Sequence, residues 1–208
     1  MIRSRCVDVF QAKPDETAIA AEIMGVYRFR TLEPADFEAS PLGREKGRAT
    51  NFAQRMRLGH QAWGYLAPDG TVACYLWLSS PQLGEYQPDF ELGLRAKIPS
   101  DAAYIWDCRS DPRHERQGLY RHGLVALARE AATIGARSVL IVTRRENHRS
   151  RNSILAVGFR QIGTMRLYGF GGLVLVAGRG RLTMAYAGSA VELPGLQNRK
   201  RPIQSAQP

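Results

Sequence analysis

Between Ser110 and Arg121 the sequence runs Ser-Asp-Pro-Arg-His-Glu-Arg-Gln-Gly-Leu-Tyr-Arg, which sets Arg113, Arg116 and Arg121 around Gly118. The run before it, Ala103–Arg109, is rich in bulky residues and reads as a strand, whereas the pattern after it is helical. A short polar connection therefore joins a strand end to a helix start. The first turn of a helix presents backbone N–H groups without intrahelical partners and about half a positive charge. Glycine there lets a ligand come close to the main chain, and arginine forks suit phosphate oxygens. The chemistry this favours is capture of an anion such as a pyrophosphate. The segment is neither a Walker loop nor a dinucleotide fingerprint, because GxxxxGK[ST] and GxGxxG are both absent. On these residues alone, an ordinary tight turn reads equally well.

The charge distribution points to the same half of the chain. Of 208 residues, the first 100 hold 12 Lys/Arg against 12 Asp/Glu, and residues 101–208 hold 17 against 7, so the whole excess of +10 lies in the second half. Almost all of those 17 are arginines, the side chain suited to forked phosphate recognition. A polyanionic partner is expected there; a merely soluble basic surface is the plainer alternative. The hydrophobic share of 44% excludes a wholly disordered chain and suffices for the core of one domain. The best apolar runs, Val139–Val142 and Leu173–Ala177, fall far short of the roughly 20 residues that span a membrane. The start, Met-Ile-Arg-Ser-Arg-Cys-Val-Asp, lacks the apolar stretch of a secretory signal, which predicts a soluble, cytoplasmic protein. Cys6, Cys74 and Cys108 are odd in number and form no CxxC pair, and His60, His114, His122 and His148 show no HxH or HExxH spacing. No metal site is expected.

The elements around the polar connection follow from periodicity. Cys6–Gln11 alternates as a strand, and Pro14-Asp15-Glu16 opens a helical pattern over Ile19, Ala20 and Ile23. Residues 33–50 read as loop or short helices, and Asn51–His60 as a helix. Trp63–Leu66 and Thr71–Leu78 flank Ala67-Pro68-Asp69-Gly70 and predict a hairpin. Asp89–Leu94 suggests a short strand. After Gly118, Leu124, Leu127, Ala128, Ala131 and Ile134 recur at helical spacing until Gly135 stops them. Arg137–Thr143 is a strand with an unbroken apolar centre, and Asn147–Ala156 a second helix. Strand, helix, strand in that order implies a parallel or near-parallel pair. Gln161–Tyr168 and Leu173–Met184 supply closing strands, and periodicity is lost from about Gly188.

Two of these segments together resemble known motifs. Asp111 to Leu124, followed at helical length by Gly135-Ala136-Arg137, resembles the acyl-CoA-binding motif of the GNAT superfamily of N-acetyltransferases. Asn147, Ser150, Gly158-Phe159 and Gly163 resemble that superfamily's next motif. The resemblance is specific over about residues 101–168, extends loosely through the hairpin at Asp69-Gly70, and fades in the first 50 and last 20 residues. It implies an α/β fold: a mixed, mostly antiparallel sheet with a splayed near-parallel strand pair, flanked by helices. It implies one acyltransferase domain over 1–187 and acetyl-CoA as acyl donor, while the lost periodicity and the Arg199-Lys200-Arg201 run predict a flexible basic tail over 188–208. By the same resemblance, the backbone of Arg116, Gln117, Gly118, Leu119 and Tyr120 holds the pyrophosphate, with Arg113 and Arg121 beside it. Cys108, Arg109 and Ser110 offer main-chain groups to the pantetheine arm, Asn147 lies toward the thiol end and Ser150 joins the cofactor-binding set; proximity along the chain puts Arg149 or Arg151 within reach of the ribose phosphate. Coenzyme A carries about four negative charges, which matches the basic half.

The sequence also departs from the family pattern. Glu115, Arg116 and Tyr120 stand where the family prefers Arg or Gln, a small residue and a small residue, and Ile154 stands where many members carry the tyrosine that protonates the leaving thiolate. Transfer to an amine further requires an unprotonated nucleophile. An alkyl amine of pKa near 10.4 is neutral in about one molecule in 2,500 at pH 7, so a base or water relay helps. Asp107 and Glu91 are the candidate bases, with Asp101 behind them; strand alternation sets Asp107 on the face of Ile105, opposite Tyr104 and Trp106. The acceptor is a small-molecule or protein amine, and a homodimer is compatible with all of this. The rival from another class is a nucleic-acid- or ribosome-associated basic module, with weak nucleic-acid contact through Arg199-Lys200-Arg201. A third reading is a non-catalytic acyl-CoA-binding regulator, to which Ile154 lends weight.

Overall fold

The structure of the protein is a computed structural model that describes residues 3–18, 25–44, 48–83, 86–87, 91–178, 181–186 and 188–194. In chain order its elements are β1 (Arg3–Ala12), β2 (Arg28–Thr31), α1 (Pro34–Ala39), α2 (Arg48–Arg57), β3 (Gln61–Leu66) and β4 (Val72–Ser79). There follow β5 (Tyr86–Gln87), β6 (Arg95–Lys97), β7 (Ala102–Ser110), α3 (Leu119–Thr133), β8 (Ser138–Arg144) and α4 (His148–Ala156). The last are β9 (Arg160–Phe170), β10 (Leu173–Gly178), β11 (Arg181–Tyr186) and β12 (Ala190–Glu192). One nine-stranded sheet runs β11-β10-β9-β1-β8-β7-β4-β3-β2, and a small one runs β12-β6-β5. Within the large sheet every neighbouring pair is antiparallel except β7 and β8, the strands that α3 connects. The mixed sheet with one parallel pair agrees with the expectation from the sequence.

The helical spacing in α3 does what the pattern implies. Leu124, Leu127, Ala128 and Ala131 are buried, together with Leu119, against Leu76, Ile105 and Ile141 of the sheet. Helix and sheet come unusually close at Gly123, where a Cβ would lie 2.5 Å from Leu76 Cδ1. On the other face, Phe37 of α1 and Phe52 of α2 pack at 4.0 Å between ring centroids and close on Tyr75 and Trp77 of β4. The sheet thus separates an α3–α4 side from an α1–α2 side, with a buried apolar layer on each.

Several expectations are corrected. Pro14–Glu16 is a single 3₁₀ turn, and the pattern over Ile19–Ile23 lies outside the described residues. Glu91–Gly93 is a 3₁₀ turn with Leu92 left-handed, not part of a strand; the strand comes later, at Arg95–Lys97. Leu173–Met184 is a hairpin of two strands, because the chain reverses after Gly178. Past Gly188, where a tail was expected, Ala190–Glu192 pairs in parallel with β6 and Leu193 is buried; residues 195–208, with the Arg199–Arg201 cluster, lie outside the described residues.

Candidate functional site

The parallel pairing of β7 with β8 covers Ala102 to Ile105 against Ser138 to Ile141 and then stops. Beyond that point each strand keeps its antiparallel neighbour: β7 pairs with β4 as far as Ser110, and β8 with β1 as far as Arg144. A gap therefore opens between Trp106–Ser110 and Val142–Arg144, along which backbone groups of the two strands no longer bond each other. Its cause lies in β7. Trp106 is paired with Trp77 and Arg109 with Tyr75, so Asp107 and Cys108 together oppose the single residue Leu76. Asp107 takes φ 39°, a left-handed value that Asp tolerates better than most residues, and the extra residue bends the strand.

This bulge corrects the face assigned to Asp107. The inserted residue breaks the alternation, and the carboxylate turns to the α1–α2 side, where Arg55 Nη1 of α2 donates to its Oδ2 at 2.5 Å. The Arg55 guanidinium lies over the Trp106 ring at 4.6 Å, with Trp77 at 5.3 Å and Phe52 at 5.7 Å. Trp106 is itself held: its Nε1 donates to Ser79 Oγ at 2.8 Å. The Ser79 hydroxyl also lies 2.8 Å from His60 Nδ1, so the buried pair joins Trp106 to the imidazole. Spacing did not single out Arg55. The mark it left in the sequence is a helix carrying Phe52 three residues before an arginine, a pattern shared with many ordinary amphipathic helices.

At the open end of the gap stands the connection with Gly118. Gly118 is the N-cap of α3 at φ 77°, Arg116 has φ 65°, and no side chain caps the helix. The N–H groups of its first turn thus remain available to an anion. Arg116, Gln117 and Arg121 are exposed beside them, whereas Leu119 is buried. Arg113, half exposed, bonds the Asp111 carboxylate through Nη2 at 2.8 Å and Nε at 3.2 Å. That guanidinium holds the Asp111 carboxyl below its ordinary value against the opposing effect of burial. Glu115 is paired with Arg149 at 2.9 Å on the surface, which offsets its charge beside the loop.

Most of the remaining residues named from the sequence lie on the α3–α4 side of the gap. Tyr120 packs on the buried layer together with Cys108, and its hydroxyl lies 3.0 Å from Ser150 Oγ, which ties α3 to α4. Burial raises the Tyr120 phenol well above its ordinary value, and it raises the Cys108 thiol likewise. Ser110 Oγ bonds Cys74 Sγ at 3.3 Å. Arg109 is exposed. Asn147 is the N-cap of α4, its side-chain oxygen accepting from Ser150 N–H at 3.2 Å. Arg151, one of two arginines expected at a ribose phosphate, turns inward instead, with Nε 2.9 Å from the fully buried Asp8. Ile154 is fully buried, so the family's tyrosine position is core here. The Glu91 side chain lies outside the described residues. Among the described residues no group of three His, Cys, Asp or Glu is arranged to hold a metal, and no helix is long and apolar enough to cross a membrane.

Comparison with known proteins bears on this geometry. No protein-family model matches the sequence, and no curated protein matches it. Solved structures do match. A GNAT-family acetyltransferase from Colwellia psychrerythraea superposes with a TM-score of 0.53 at 14% identity, over 81% of this chain and 56% of its own. An acetyltransferase of the same family from Novosphingobium aromaticivorans gives 0.52 at 16% identity, over 81% of this chain and 67% of its own. A glucosamine N-acetyltransferase region of a fungal multi-domain beta-N-acetylglucosaminidase gives 0.59 at 14% identity, over 82% of this chain and 21% of that one. The chain spans just over half of the Colwellia protein's length and two thirds of the Novosphingobium protein's. This chain has the fold of the GNAT-family acetyltransferases.

Proposed function

We propose that the chain transfers an acetyl or other short acyl group from coenzyme A to an amine by direct attack. The observation that carries this reading is the end of β7–β8 pairing at Ile105 and Ile141, beside the uncapped first turn of α3. In this reading the donor lies along the gap where β7 and β8 no longer pair, with the uncapped start of α3 at its mouth. In this reading the N–H groups of Gly118, Leu119 and Tyr120 hold the pyrophosphate, with Arg116, Gln117 and Arg121 alongside. The backbone of Cys108, Arg109 and Ser110 orients the pantetheine arm, and Asn147 and Ser150 lie toward the thiol end. The amine nitrogen attacks the thioester carbonyl carbon, the C–S bond breaks, and Tyr120 gives its phenolic proton to the departing sulfur. Asp107, released from Arg55, takes the proton lost by the amine; Glu91 is the alternative base.

Calorimetry with acetyl-CoA tests the binding step. The wild-type chain is expected to bind, and Gly118→Trp to weaken binding at least 100-fold while its circular dichroism is retained; undiminished binding by the folded variant overturns the loop assignment. A thiol-release assay over a panel of amines tests transfer. Binding without release for any amine supports the second reading, a non-catalytic acyl-CoA sensor, which the burial of Ile154 favours.

A further inference from the structure

The β9–β10–β11 end of the sheet presents an apolar face that the other described residues leave exposed. Paired residues of antiparallel strands share a face, and the register stacks Phe170, Leu173 and Tyr186 in one row and Tyr168, Leu175 and Met184 in the next. A third row adds Leu182 beside Ala177. Phe170, Leu182, Met184 and Tyr186 are 64–70% exposed, and Tyr168 is 38% exposed. The face lies on the α3–α4 side of the sheet, because Tyr168 pairs with Ser4 in the same alternation that brings Asp8 to Arg151 of α4. α3 packs chiefly over β3, β4, β7 and β8 and on the turn at Pro14–Glu16. The opposite face of the same strands is filled, with Val174, Val176 and Ala185 buried in the α1–α2-side layer.

The sequence makes the same demand. Leu173–Ala177 is an unbroken apolar run, the pattern of a strand covered on both faces, yet the described fold covers one. β11 also ends the sheet and pairs only with β10 among the described residues. Its centre, Leu182–Tyr186, carries neither a charge nor a proline to guard that edge. These strands behave as half of a larger sandwich.

We infer that this face is the contact between two copies of the chain, packed about a two-fold axis. Three observations favour a second copy. The two central rows are free of charge, so a face meeting its own image brings no like charges together there; the charge on the face is Arg166, in the outer row. At roughly 200 Å² for a large side chain, the five exposed residues offer roughly 600 Å² per copy, or about 1,200 Å² in the pair, which reaches the range of stable interfaces. The free edge of β11 adjoins the face, so a twofold contact shields edge and face together.

Sedimentation velocity of the full chain from about 1 to 100 µM tests this. A dimer is expected in the wild type, and Phe170→Glu with Met184→Glu is expected to raise its dissociation constant at least 100-fold without changing the circular dichroism. A wild type that stays monomeric throughout overturns the inference, as does a dimer that the two substitutions leave intact. Hydrogen exchange of wild-type β11 amides covers the case of a variant that does not fold: protection must rise with protein concentration, and concentration-independent exchange overturns the proposal. A monomer that binds vesicles of anionic phospholipid reassigns the face to lipid.

Discussion

Arg55 and Asp107 form an ion pair 2.5 Å long at the bulge where β7 leaves β8, with the guanidinium set over Trp106. The pair ties α2 to the point where the gap opens, so it acts on both stability and the candidate chemistry. Its side chains are 13% and 29% exposed, which sets it between an ordinary surface pair and a fully buried one. Arg55→Met is expected to cost about 2 kcal/mol, since it leaves the carboxylate half-buried and removes the cation from three rings. Urea denaturation measures this.

Asp107→Asn separates positioning from base catalysis. The amide still accepts from Arg55, so stability is expected to fall by less than in Arg55→Met. If Asp107 accepts the amine proton, turnover drops most below pH 8, where the amine is overwhelmingly protonated, while the acetyl-CoA Kd is unchanged. A negligible, pH-independent effect removes Asp107 as the base.

Tyr120→Phe removes the hydroxyl that meets Ser150 Oγ. Because burial keeps the phenol protonated above its ordinary range, wild-type kcat should show no alkaline loss from this group below about pH 10. The variant is expected to lose about tenfold or more in kcat with acetyl-CoA binding intact. Ser150→Ala, which keeps the phenol, should be milder.

Acid stability should depend on Asp111. Its carboxyl titrates below its ordinary 3.8 in the fold, so the unfolded chain binds the proton first as pH falls. The contribution is therefore full at neutral pH and is lost as pH drops through 3.8 and then through the lower folded value. Asp111→Asn is expected to flatten the acid side of the stability curve and to cost about 1 kcal/mol at pH 7, since Arg113 is half exposed.

The alkaline side has the opposite sign. Burial pushes Cys74 from 9.0 up to about 12, and Tyr65 from 10.0 up to about 12. Between pH 9 and 12 the unfolded chain releases protons that the folded chain keeps, so stability falls as pH rises through that window. Each group contributes a slope of up to about 1.4 kcal/mol per pH unit. Cys74→Ala should flatten that decline in chemical denaturation followed from pH 8 to 11.

The loop at Gly118, α3 and the β7–β8 crossover were legible because each rests on contacts close along the chain. The apolar spacing from Leu124 to Ala131 marks a helix wherever it packs, and a crossover between successive strands admits few geometries. Legibility failed where one residue changed the register: nothing local says that Asp107 is bulged, and alternation without the bulge sends it to the wrong face. Charge and position make Arg113 and Arg151 candidate phosphate ligands, whereas their pairing with Asp111 and with the distant Asp8 is visible only in the fold.

By itself, the amino-acid order determined the polar connection around Gly118, the flanking strands and helix, and the concentration of arginine in the second half. Periodicity and capping are properties of neighbouring residues, so they need no knowledge of the fold. Only the tertiary structure decided that β1 lies between β8 and β9, that Arg55 meets Asp107, and that the apolar rows of β9 to β11 lie open. Those depend on which distant surfaces come together, and many arrangements of the same apolar patterns satisfy the local rules equally well.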